Sequence, residues 1–138
     1  MKLTPWQIAV LVFAVILLAM RIGGGTVGSP PPFTTDKLAV AVIEESSHRG
    51  QYTRDQLDVI QATDAKSVKV AVETRGGQFQ VIDPDTADNL AKSAPWITSA
   101  MAAKRDSLPW LIGATPRSGF SVPLTTEADA LKRVEGLR

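Results

Sequence analysis

The chain has no cysteine among its 138 residues. That absence excludes disulfides, thiolate metal centres, a thiol nucleophile, a lipobox and any dithiol redox chemistry carried by the chain itself. An excess of one charge sign is missing too. Lysine and arginine total 15 against 14 acidic residues, and from Phe33 onward the balance is 13 basic to 14 acidic. Without a basic stripe to neutralise phosphates, nucleic acid is not an expected partner. Long apolar runs are absent with one exception, residues 8–20, thirteen residues without glycine or proline that end at Arg21.

That exception sets the expected domain organisation. From Pro5 to Ile22 is eighteen residues, about 27 Å as a helix at about 1.5 Å per residue, enough to cross a bilayer with slight thinning or with Arg21 snorkelling. Trp6 suits one interface. The residues after the run, Ala19, Met20, Arg21 and Ile22, offer no clean small-x-small cleavage site, so residues 1–22 are expected to be an uncleaved signal anchor, a single transmembrane helix, with a cleaved signal peptide and a buried soluble helix as the alternatives. Lys2 and the terminal amine precede the span, which favours an extracytoplasmic domain. Residues 23–35 follow as a Gly/Pro-rich linker. Gly23, Gly24 and Gly25 supply reach, and Pro30, Pro31 and Pro32 stiffen the end, giving a tether outside the core. Residues 36–138 then form one domain, since about 105 residues support a single core.

Residues 38–43 organise that domain. Leu38, Ala39, Val40, Ala41, Val42 and Ile43 are apolar at every position, which predicts a strand in the middle of an α/β sheet, covered on both faces. Glu44 and Glu45 close it, and Ser46, Ser47, His48 and Arg49 make a small polar turn. Thr53 and Gln56 form a capping box for a helix through Leu57 and Ile60 to about Ala62. Val68, Val70 and Val72 alternate with Lys69, Ala71 and Glu73, predicting a half-exposed strand. It is followed by a turn at Arg75, Gly76 and Gly77 and a paired strand containing Phe79 and Val81.

Asp83 to Thr86 read as a turn into a helix with Leu90 inward, and Pro95 restarts the helix so that Trp96, Ile97, Ala100 and Met101 share one face. Lys104 and Arg105 close that helix. Pro109 to Ile112 make a strand and Thr115 to Gly119 a turn, with a further strand at Phe120 and Val122. A last helix from Thr125 or Thr126 buries Ala130, Leu131 and Val134. The expected class is α/β, a three-layer α/β/α sandwich around a mixed sheet.

At this point the chain resembles the thioredoxin-like superfamily over about residues 37–138. The likeness rests on three features: the turn Ser46, Ser47, His48 and Arg49 after the first strand, the segment Ser107, Leu108, Pro109 and Trp110 leading into the third strand, and the hairpin from Trp110 to Val122 before a closing helix. The resemblance implies a proline in cis at Pro109 beside the turn. It also implies a surface where extended peptides dock, with Ser46, Ser47, His48, Arg49, Leu108, Pro109 and Trp110 as candidate binding residues. The positions of the Cys-x-x-Cys pair hold no cysteine, so the family's redox activity does not carry over, and no cofactor is expected.

Ser46, Ser47 and His48 beside Glu44 and Glu45 contain the residue types of a nucleophile, base and orienter, but neighbours within one turn seldom point that way, and a solvated capping loop is the simpler reading. Asp83, Asp85 and Asp88 supply oxygens at short spacing without the glycine and distal glutamate of a calcium loop, so turn and cap is the simpler reading there. Trp96 is assigned to the core, Trp110 to the core or the groove rim, and Arg49 and Arg117 to solvent. The function expected from all this is a membrane-anchored interaction or scaffolding module without dithiol redox activity, binding an extended peptide or protein. The alternatives are a thiol-independent enzyme using His48 and Pro109, and a structural phage or envelope membrane component.

Overall fold

A computed structural model describes residues 29–138. The expected membrane helix at 1–22 and the first part of the tether, 23–28, lie outside the described residues. Among those described, no helix is long and apolar enough to cross a membrane.

The strand β1, Ala39–Ile43, is buried along its whole length. Leu38, Val40 and Val42 point into one core, and Ala39, Ala41 and Ile43 into another on the opposite face. The sheet order is β2-β1-β3-β4, with β2 at Gln78–Ile82, β3 at Trp110–Ala114 and β4 at Gly119–Pro123. β1 runs parallel to β2 and antiparallel to β3, and β3 and β4 form an antiparallel hairpin. The fold is therefore a mixed α/β sheet of four strands with its first strand inside, as the unbroken apolar run predicts.

Helices cover both faces. On the first pack α1, Arg54–Gln61, α2, Val68–Thr74, and α5, Glu127–Gly136, through Val59, Ile60, Val68, Val72, Ala130 and Val134. Leu131 is only half-buried against that core. On the second face lie α3, Ala87–Ser93, and α4, Trp96–Ala102, which contribute Leu90, Ile97 and Ala100. The capping box of α1 forms as expected: Gln56 N donates to Thr53 Oγ1 at 3.2 Å, and Thr53 N donates to Gln56 Oε1 at 2.9 Å.

The predicted strand at Val68, Val70 and Val72 is instead helix α2. Val68 and Val72 are i and i+4, both fully buried, while Val70 faces out at 38% exposure, so a period-two spacing was compatible with one helical face. Ser67 caps the helix through its hydroxyl. Topology decides the matter, because the place beside β1 is taken by β2 in parallel, and a parallel neighbour needs a crossover, here supplied by α1 and α2. The turn after α2 requires its glycines. Gly76 has φ +73°, and a Cβ on Gly77 would lie 2.8 Å from Val72.

The tether is a second correction. Phe33 is 5% exposed within the α3/α4 core and stacks on Trp96 with ring centroids 5.6 Å apart. Ser29 O accepts from Gly119 N at 3.0 Å, and Pro31 and Pro32 lie where a Gly119 side chain would project. The end of the proline stretch thus packs at the start of β4. At the far end of the chain, Arg75 donates to the carbonyls of Val134 and Leu137, both at 2.6 Å, and satisfies the last turn of α5.

Replacing Val72 by alanine is expected to cost about 2 kcal/mol, whereas Val70→Lys should shift stability by less than about 0.5 kcal/mol; urea denaturation measures both, and equal losses would restore the strand. In the first turn of α5, Glu127 Oε1 is buried with no hydrogen-bond partner among the described residues. Burial, then the charges of Asp58, Asp64 and Asp55, raises its pKa above the ordinary 4.5. The folded chain therefore holds this proton more tightly than the unfolded chain, and Glu127 opposes folding increasingly as pH rises through that raised value. Glu127→Gln should raise the melting temperature at neutral pH, with the gain vanishing below about pH 4.5.

Candidate functional site

β1 ends at Ile43, and the next residue carries a carboxylate into the protein. Glu44 N donates to Ile82 O at 2.9 Å, extending the ladder by one residue, and its side chain is 1% exposed. A buried carboxylate requires donors. Arg49 supplies them: Nη2 lies 2.5 Å from Oε1, and Nε lies 3.2 Å from both carboxylate oxygens. The Ser46 hydroxyl adds a bond at 3.2 Å. To make this pair, residues Ser46–Gln51 wind into a 3-10 turn, and α1 starts only at Arg54. Arg49 is thus exposed, as expected from sequence, but its guanidinium is paired with a buried carboxylate. The hydrogen bond to Glu44 raises its pKa above the ordinary arginine value and keeps it a cation.

The turn is also tied to the end of β2. Ser46 N donates to Asp83 Oδ2 at 3.2 Å, and Asp85 N donates to Asp83 Oδ1 at 3.0 Å. The Ser46 hydroxyl and these two amides hold the Asp83 carboxyl below its usual range. Tyr52 closes the turn from the other side, its hydroxyl accepting from Glu45 N at 3.0 Å and facing Glu45 O at 3.2 Å.

Ser46, Ser47, His48 and Arg49 are all exposed. Their hydroxyls do not engage the imidazole: Ser46 Oγ donates to Glu44, Ser47 Oγ donates to Glu45 at 3.2 Å, and among the described residues no hydrogen bond reaches the His48 ring. A nucleophile and base pair is therefore not assembled here. The carboxylates of Glu45, Asp83 and Asp85 each place one oxygen within 4.8 Å of the others; Asp88, singled out in the sequence, is not among them. Both oxygens of Asp83 already accept backbone amides, so turn formation accounts for its placement.

The second half of the candidate site comes from β3. The Leu108-Pro109 peptide bond is cis. Ile43 pairs with Trp110, and one further step along this antiparallel register sets Pro109 beside Glu44. The polar turn and the Leu108-Pro109 segment thus share one end of the sheet. Pro109 is buried and its carbonyl accepts from Leu124 N at 3.0 Å. Leu108 is 37% exposed, one of two large apolar side chains described as exposed. Among the described residues its backbone N–H has no hydrogen-bond partner. Trp110 is only 6% exposed, belongs to the α3/α4 core and donates from Nε1 to Ser121 Oγ at 2.8 Å. Its role is packing.

Glu44 is the residue that sequence reasoning missed. The available signal was an acid ending an otherwise apolar strand, with an arginine five residues on across a turn. No protein-family model, no curated protein and no solved structure matches this chain.

Truncating Arg49 leaves a buried carboxylate with one hydroxyl donor. Arg49→Ala is expected to destabilise the fold by about 2 kcal/mol, below the full cost of an unpaired buried charge because the arginine is half exposed. Arg49→Ala combined with Glu44→Gln should recover part of that loss; additive losses in thermal denaturation would show that the pair does not couple.

Proposed function

We propose that this chain is a thioredoxin-like binding module without redox chemistry, which receives an extended polypeptide segment across Ser46, Ser47, His48 and Arg49 on one side and Leu108 and Pro109 on the other. Residues 1–22 hold it at a membrane with the domain on the extracytoplasmic side.

The observation that carries this reading is the strand order. A parallel first half and a hairpin second half around a central first strand bring the turn after β1 and the segment before β3 to the same sheet end. This is the arrangement that the resemblance implies, and the cis Leu108-Pro109 bond agrees with it. The chemistry of the surface suits an extended segment. Leu108 offers an exposed apolar contact and an unpaired backbone N–H next to small hydroxyl side chains, so main-chain pairing would give affinity and the Leu108 side chain would add apolar contact. A binding role also suits a surface whose serine hydroxyls donate to glutamates, since no activated nucleophile is needed for it.

Peptides selected from a random library on the immobilised domain face should shift the amide resonances of Ser46, Ser47, His48, Arg49 and Leu108, read by two-dimensional NMR on the full chain. Leu108→Asp is expected to weaken the selected peptides about tenfold or more, a loss of about 1.4 kcal/mol, with the melting temperature unchanged. Shifts confined to another face, or an affinity indifferent to Leu108→Asp, would remove this surface from consideration.

A further inference from the structure

The two edges of the sheet are finished differently. β4 is blocked at both ends: Gly119 N is taken by Ser29 O with Pro31 and Pro32 beside it, and Pro123 has no N–H to offer. β2 carries none of these devices. Its sequence, Gln78, Phe79, Gln80, Val81 and Ile82, has no charge, proline or glycine, and it pairs with β1 at all five positions without a bulge. Gln78 N donates to Leu38 O, and Ile82 O accepts from Glu44 N, so the even-numbered residues face β1. Phe79 and Val81 turn their N–H and C=O groups outward. Among the described residues no hydrogen bond reaches those four groups. Soluble proteins seldom leave such an edge bare.

We propose that β2 is a homodimer interface, in which the strands of two copies pair antiparallel about a dyad at Gln80. In that register Phe79 of each copy lies opposite Val81 of the other, and the two pairs exchange four backbone hydrogen bonds. Each also sets an aromatic side chain against a β-branched one, a favourable cross-strand combination. The two Gln80 side chains meet on the other face, where Gln78 is already engaged by Trp96 Nε1 at 2.7 Å. No like charges meet at the dyad.

The flanks choose a second copy over an unrelated strand. The same register carries Arg75, at the turn into β2, toward Asp85 of the other copy, and Gly77 toward Asp83. Arg75 is exposed even while it caps α5. At the other end of β2, Glu45, Asp83 and Asp85 crowd their carboxylates within 4.8 Å, and Asp85 is exposed. Antiparallel pairing sets the basic end of each strand against the acidic end of its mate, twice per dimer. A parallel arrangement would stack the acidic ends together.

The absence of cysteine makes the test direct. Residues at the dyad form a non-hydrogen-bonded pair with Cα atoms about 4.5 Å apart, within the range that a disulfide spans. The full chain carrying Gln80→Cys should form a disulfide-linked dimer under mild oxidation about tenfold faster than the full chain carrying Glu135→Cys, whose cysteine is the more exposed but lies on α5. Adding Val81→Pro removes an outward N–H and leaves the bonds to β1 intact, so it should bring the Gln80→Cys rate down to that of the control while the circular dichroism is unchanged. Adding Asp85→Lys should slow it several-fold. Equal rates for the two cysteine positions, or a Gln80→Cys rate unmoved by either second substitution, would overturn the proposal. Association through residues 1–22 would raise both cysteine positions alike and leave no preference for residue 80.

Discussion

Burial of β1 from both sides is the constraint on which this molecule depends. A strand with apolar side chains on each face removes most surface from water only if something packs above and below it. Val40 and Val42 meet α1, α2 and α5, while Ala39, Ala41 and Ile43 meet α3 and α4. Everything else follows from providing those layers. The crossover through α1 and α2 makes β2 parallel, and the β3–β4 hairpin completes the sheet on the other side of β1.

The end of β1 is where that apolar logic stops. Glu44 continues the hydrogen-bond ladder but places a carboxylate in a buried position, and such a group is tolerated only when its oxygens are filled. Arg49 and Ser46 fill them by bending the chain into a 3-10 turn, and Asp83 and Tyr52 brace that turn against β2 and Glu45. The polar groups that look reactive in the sequence are therefore spent on holding the loop in shape. What remains open to solvent is a rim formed by Ser46, Ser47, His48 and Arg49, with Leu108 exposed at the same end of the sheet. That rim is the surface for which a binding role is proposed above.

Some features were readable before any coordinates because they are local. The capping box at Thr53 and Gln56, the glycine turn before β2, the helix restart at Pro95 and the buried first strand each rest on residues within a few positions of one another. The helix at Val68–Thr74 was not readable in this way. Its valines satisfy a period of two as well as an i, i+4 pair, and only the claim of β2 on the space beside β1 selects between them. Phe33 was misplaced for a related reason, since its prolines mark an extended segment but do not say whether that segment lies against the fold. For Trp110 the sequence left core and groove rim open, and its packing in the α3/α4 core with its bond to Ser121 on β4 decides for the core.

The sequence by itself determined the strand–helix punctuation outside Val68–Thr74, the central place of β1 and the exclusion of thiol chemistry, because these depend on residue type and short-range spacing. Tertiary structure alone decided that Glu44 is buried and held by Arg49, that the Leu108-Pro109 segment sits at the end of the sheet beside the Ser46 turn, and that Phe33 belongs to the core. The reason is distance along the chain. Pro109 and Glu44 are far apart in sequence, and only the antiparallel register of β1 with β3 makes them neighbours.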